Sequence, residues 1–128
     1  MDTYKLKLTT LQNEIFRLLS INVGKKMSQR QIANLLNVSP TAVSKSLPNL
    51  ERENLIKIEK DKNMNLNYVS LNRDFEKAIS FKKIENLKLI YESGLDKFIE
   101  NNFPGSTVIL FGSYSRGDDT YNSDIDIA

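Results

Sequence analysis

Asp124 and Asp126 stand two residues apart in Ser123-Asp124-Ile125-Asp126-Ile127. Alternation along a strand points both carboxylates to one face and Ile125 and Ile127 to the other. Two carboxylates on one strand face repel unless a cation lies between them, and Mg²⁺ takes one or two carboxylates plus substrate phosphates. Upstream, Leu110-Phe111-Gly112-Ser113-Tyr114-Ser115-Arg116-Gly117 places a Gly-Ser turn at the end of an apolar run. Glycine lets the backbone approach a ligand, and the turn's N–H groups and serine hydroxyl suit a phosphate. Together these parts describe a site for a divalent cation and a nucleoside triphosphate. With two metals, its chemistry would be in-line transfer of a nucleotidyl group to a hydroxyl.

Composition narrows the alternatives. The 128 residues contain no His, no Cys and no Trp. Disulfide frameworks, thiolate metal sites, Ser-His-Asp triads, zincins and zinc deaminases are therefore out. Gly112 to Gly117 has the outer spacing of a P-loop, but Asp118 stands where that motif requires Lys. There is no Gly-x-Gly-x-x-Gly fingerprint, and Arg116-Gly117-Asp118 is read as a chance adhesion tripeptide. The longest apolar run, Val108 to Phe111, is far too short to span a bilayer. The start, with Tyr4, Leu6 and Leu8 alternating, lacks a signal-peptide core, so the expected location is cytoplasmic.

These residues need elements to position them. Leu11, Ile15, Leu18 and Leu19 have helical spacing after Thr10, and Gly24 ends that region. Ser28 reads as the N-cap of a helix over 29–36, with Ile32, Leu35 and Leu36 inward. Ser39-Pro40 opens a third helix whose inner stripe is Val43, Leu47 and Leu50, and Asn54 suits its left-handed end. Runs at 55–59 and 66–71, joined by a polar connector, predict a hairpin. From Asn72, read as an N-cap, the pattern is helical to about Asn102, with a break at Ser93-Gly94. One apolar face holds Phe75, Ala78, Ile79, Leu89 and Ile90; the other holds Ile84, Leu87, Tyr91, Leu95 and Phe98. A helix apolar on two sides packs on two sides, which predicts a homodimer or a bridge between units through 73–102. After a Pro104-Gly105 turn, 107–111 reads as a buried strand, 112–123 as a polar loop and 124–128 as a second strand.

Three short helices, a tight turn and a hairpin are the order of a winged helix-turn-helix. The run from Gln31 to Lys45, with Gln31-Ile32-Ala33, Leu35-Leu36, Val38-Ser39 and Thr41-Ala42-Val43-Ser44, resembles the signature of bacterial and archaeal helix-turn-helix regulators. At 100° per residue, Thr41, Lys45, Pro48 and Arg52 lie opposite the buried stripe, flanked by Ser44 and Asn49. Small hydroxyls and a Lys near the start of that helix suit base edges. The DNA-contact set is therefore Ser39, Thr41, Ser44, Lys45, Asn49 and Arg52, with Lys57, Lys60 and Lys62 of the hairpin along the phosphates of duplex DNA. Pro48 departs from the pattern and predicts a kink. Charge supports the division: residues 1–72 carry 11 basic and 6 acidic side chains, residues 73–128 carry 7 and 10.

The back segment resembles the minimal nucleotidyltransferase domains of the DNA polymerase beta-like superfamily, with a Gly-Ser turn and then Asp-x-Asp after the ten residues Tyr114 to Ser123. The resemblance implies that Gly112 and Ser113 hold nucleotide phosphates, that Asp124 and Asp126 bind Mg²⁺, and that Arg116 contacts phosphate or braces the loop. It also implies a third carboxylate on a later strand. The sequence ends at Ala128, within the strand pattern bearing the pair, so a fragment of a longer protein is expected and no catalytic residue is assigned. The fold class expected is α+β: a winged helix-turn-helix over 1–72, a linking helix or helices over 73–102, and the first part of a nucleotidyltransferase α/β domain over 103–128. The function expected is a DNA-binding, transcription-regulator-like protein. The alternatives are Mg²⁺-dependent transfer of NMP from an NTP to a hydroxyl of a protein or small molecule, or a degenerate nucleotidyltransferase fold serving as an interaction platform.

Overall fold

Local capping chemistry sets the first three helices. The computed structural model describes residues 5–128; Tyr4 of the opening alternation lies outside them. Helix α1 (Thr10–Ile21) opens with a capping box in which Thr9 and Gln12 each bond the other's backbone. Strand β1 (Met27–Ser28) leads directly into α2 (Gln29–Leu36), where Ser28 and Gln31 form a second box and Asn37 closes the helix in the left-handed conformation. Helix α3 (Pro40–Arg52) starts from the Ser39 cap with Pro40 in its first turn, and it runs unbroken through the exposed Pro48. Strands β2 (Ile56–Asp61) and β3 (Leu66–Leu71) pair antiparallel from Ile56 opposite Leu71 to Asp61 opposite Leu66, and β1 adds to the far edge of β3. Their inward residues meet the helices in one core that includes Ile15, Leu19, Ile32, Val43, Leu47, Leu50, Leu55 and Val69. Leu35, expected inward, is 61% exposed, because the eight-residue α2 buries only Ile32 and Ala33.

Helix α4 (Glu76–Ser93) adds Ala78 to that same core. It starts later than expected. Asn72 does not cap it: its side-chain oxygen accepts the N–H of Asp74 and its amide donates to the Asn54 carbonyl, a local turn that competes with the helix. Gly94, at φ +81°, divides α4 from α5 (Leu95–Asn102) where the Ser-Gly pair suggested. The second apolar face is open to solvent: Ile84, Leu87, Tyr91 and Phe98 are all about half exposed or more.

Strands β4 (Leu110–Phe111) and β5 (Asp126–Ile127) form a short antiparallel pair, lengthened by reciprocal bonds between Ile109 and Ala128. Both are shorter than the expected 107–111 and 124–128. Val108, Ile109 and Phe111 are exposed rather than buried: Val108 lies in an open groove beside α4 and α5, and Ile109 and Phe111 alternate to the other face. The expected polar loop begins as a short helix, α6 (Gly112–Arg116), closed by Gly117 at φ +77°. The architecture is α+β. No described helix is long and apolar enough to cross a membrane.

Candidate functional site

On α3, burial separates the two faces cleanly. Val43, Leu47 and Leu50 are buried, while Thr41, Ser44, Lys45 and Arg52 are exposed. Ser39 is exposed, but its hydroxyl oxygen accepts the Ala42 N–H at 3.1 Å, which leaves only its O–H to offer a ligand. Asn49 turns the other way. It is half-buried, and its amide donates to Gln12 Oε1 at 3.2 Å, tying α3 to α1. On the hairpin, Lys60 and Lys62 are exposed, and Lys57 pairs with Asp74. That lysine, bonded to the carboxylate, holds the Asp74 carboxyl below its ordinary range.

The two carboxylates of the back segment are placed differently from each other. Asp126 lies in β5 opposite Phe111, and its side chain rests against the backbone of Gly112. A Cβ at 112 would stand 3.1 Å from Asp126 Cγ and closer still to Oδ2, so glycine is what admits the carboxylate there. Asp124 is exposed and precedes the strand, so the expected alternation does not itself set its direction. No cluster of three or more acidic, His or Cys side chains able to hold a metal occurs among the described residues. The donor set nonetheless has the right character for Mg²⁺: hard carboxylate oxygens, one of them seated against a glycine backbone. Ser113 is half-buried, and its carbonyl accepts the Asp118 N–H. Arg116 Nε donates to Asp118 Oδ2 at 3.1 Å with both groups exposed, which is the loop-bracing arrangement.

Sequence reasoning missed the polar cluster that carries this loop. Lys82 and Asn86 of α4 are 1% and 2% exposed. Lys82 Nζ donates to Asp119 Oδ1 at 2.7 Å and to Asn86 Oδ1 at 3.3 Å. Asn86 Nδ2 donates to Asp119 Oδ1 at 2.8 Å and to the Tyr114 carbonyl at 3.0 Å, and the Tyr114 hydroxyl donates to the Asn86 carbonyl at 2.6 Å. Burial pulls the Lys82 ammonium below its usual range, partly offset by the Asp119 carboxylate. Burial, helped by Asp119, pushes the Tyr114 phenol up. The signal was positional: Ala78, Lys82 and Asn86 recur every four residues, so they share one face of α4. Gly117 packs against that helix as well, where a Cβ would meet the Ile79 carbonyl and Lys83 Cγ at 3.1 Å.

Residues 24–57, from the α1–β1 turn to the start of β2, match the family model for winged helix-turn-helix DNA-binding domains. The front unit is a winged helix-turn-helix. Residues 92–128 match the family model for nucleotidyltransferase domains. Among solved structures, a zinc-responsive MarR family member, Lactococcus lactis ZitR, is 31% identical, with a TM-score of 0.55 over 77% of this chain and 63% of that one. A mutant of the same protein aligns at 28% identity and TM-score 0.58, covering 80% of this chain and 67% of that one. The adhesin competence repressor AdcR of Streptococcus pyogenes shares the fold at 22% identity and TM-score 0.61, over 81% of this chain and 72% of that one. No curated protein matches the sequence. Coverage of four fifths exceeds what the winged helix-turn-helix alone provides, so the likeness to these regulators extends beyond β3.

Proposed function

We propose that this chain is a DNA-binding, transcription-regulator-like protein whose back segment takes up Mg²⁺ and a nucleoside triphosphate. One observation carries the first part: α3 presents Thr41, Ser44 and Lys45 to solvent at its N-terminal end while burying its opposite stripe. That is how a recognition helix offers short hydroxyls and one cation to base edges and phosphates. Arg52 continues the same face, and Lys60 and Lys62 place charge along the flanking backbone. Ser39 serves chiefly as the helix cap, Asn49 as a tie to α1, and Lys57 reaches phosphate only by leaving Asp74. The test is binding to duplex DNA enriched from a random-sequence pool, measured across a salt series. Lys45→Ala combined with Lys60→Ala is expected to weaken binding and to lower the salt slope by about 2, since each lost phosphate contact removes roughly one unit. An unchanged affinity and slope would overturn the reading.

The second part rests on the Asp126 carboxylate seated over Gly112. Asp124 and Asp126 would hold Mg²⁺, while Gly112, Ser113 and Arg116 would meet the phosphates once Arg116 releases Asp118. A bound Mg²⁺ neutralises phosphate charge and, in a completed site, promotes in-line transfer of NMP from an NTP to a hydroxyl of a protein or small molecule. The exposed face of Ile84, Leu87, Tyr91 and Phe98 supports homodimerisation through 73–102, and the exposed β4–β5 residues beside it suit the platform role.

A further inference from the structure

The loop that follows Gly112 touches three parts of the molecule. Its start lies under Asp126, at the proposed Mg²⁺–triphosphate site. Its middle is bound to α4 through Asp119, Tyr114, Lys82 and Asn86. Its far corner reaches the winged helix-turn-helix directly: the Tyr121 N–H donates to the Val23 carbonyl at 2.9 Å, and Lys25 Nζ stands 4.7 Å from the centre of the Tyr121 ring. Gly24 lies between them, where a Cβ would already be 3.4 Å from Tyr121 Cδ1. Two residues beyond Lys25 the chain enters β1, whose Met27 and Ser28 pair with Val69 and Tyr68 of the wing and whose Ser28 caps α2.

We propose that occupation of the Gly112–Asp126 site by Mg²⁺ and a nucleoside triphosphate tightens duplex-DNA binding, through the docking of Tyr121 on the Val23–Lys25 turn. This rests on the nucleotide reading above. The docked corner is lightly held. Tyr121 is 51% exposed, one backbone bond and one ring contact hold the corner, and a cleft of about 380 Å³ opens beside it, lined by Ile21, Leu89 and Ile90. An element with so few contacts opens at low cost. The middle of the loop, by contrast, is fixed to α4. A ligand that bridges Asp126 and the Gly112-Ser113 turn would reinforce the short β4–β5 pairing that holds the loop's other end, so docking the corner between stiffer anchors loses less chain entropy. The docked corner in turn fixes the strand that orients α2 and the wing. DNA then binds a reader whose entry turn is already ordered, and by linkage each ligand favours the other.

The test uses the whole chain and each common ribonucleoside triphosphate in turn with Mg²⁺. Calorimetry reports nucleotide binding, anisotropy of a labelled duplex from the random-sequence pool reports DNA affinity, and hydrogen exchange reports the order of residues 22–28. In the wild type, the nucleotide that binds is expected to raise DNA affinity about fivefold or more, the usual lower bound of coupling between sites, and to slow exchange over 22–28. Tyr121→Ala is expected to keep nucleotide binding and basal DNA binding while losing the enhancement. Nucleotide binding with unchanged or weakened DNA affinity overturns the coupling and leaves the nucleotide reading standing. Enhancement that survives in Tyr121→Ala overturns the route. Absence of binding by every Mg–NTP overturns the nucleotide reading and the coupling together.

Discussion

Lys82 shows what a single buried charge commits a protein to. Its ammonium, 1% exposed, has Asp119 and Asn86 as its partners, and Asp119 is itself 5% exposed. Removing one member of such a pair leaves the other charge buried without compensation, which costs roughly 3–5 kcal/mol. Replacing both with apolar residues of similar volume removes that penalty. Asp119→Ala is therefore expected to lower unfolding free energy by about 3–5 kcal/mol. Lys82→Met with Asp119→Leu should cost clearly less than the sum of the two single changes. Denaturant unfolding of the singles and the double measures this as a coupling energy. Additive losses would mean that the pair does not act as a unit.

At the scale of elements, the open side of α4 and α5 carries a defined expectation. Leu87 and Tyr91, together with Val108 and Ile127 across the junction with the short sheet, line an apolar groove of about 250 Å³. Exposed apolar surface of this kind marks an interface. Leu87→Glu with Tyr91→Glu is expected to shift the chain from dimer to monomer in sedimentation while its helix content stays the same; a wild type that is already monomeric would exclude the homodimer. The elements whose rules are local were legible in the residues. Ser28 and Ser39 cap their helices, Asn37 and Asn54 adopt positive φ, and Gly94 breaks the long helix where a turn pair stood. What long-range partners decide was not legible. Lys82 and Asn86 drew no reading from the sequence, because their shared helix face does not announce Asp119, 37 residues from Lys82. Asn72 has the right side chain for a cap and spends it on a turn instead. The Asp124–Asp126 pair pointed to a cation-binding chemistry, but the length of β5, and with it the direction of Asp124, depends on how much of β4 there is to pair with.

For the molecule as a whole, the joint between reader and back segment has a pH signature. In the unfolded chain Lys82 titrates near its ordinary 10.5, while in the folded chain burial holds it lower. Between those two values the unfolded state keeps a proton that the folded state has lost, so stability rises with pH across that window. Tyr114 acts in the opposite sense. Its folded value is raised above 10.0, so the stability it contributes is present below that pH and is lost as pH rises through the folded value. Asp74, lowered from 3.8 by Lys57, contributes at pH above its unfolded value and ceases to contribute as pH falls through the folded one. Stability should therefore decline at the acid end as Asp74 protonates, climb with pH over the window below 10.5 in which Lys82 neutralises, and be opposed above about pH 10, the ordinary phenol value, by Tyr114. Denaturant midpoints measured across pH in three chains separate these terms. Lys82→Met is expected to remove that climb and Tyr114→Phe to reduce the opposing trend. Both residues join α4 to the loop after Gly112, whereas Lys57 lies in β2 and pairs with Asp74 ahead of α4, so Asp74→Asn should flatten only the acid limb. A climb that persists in Lys82→Met would show that this lysine is solvated in the folded protein and that the joint is looser than its hydrogen bonds describe.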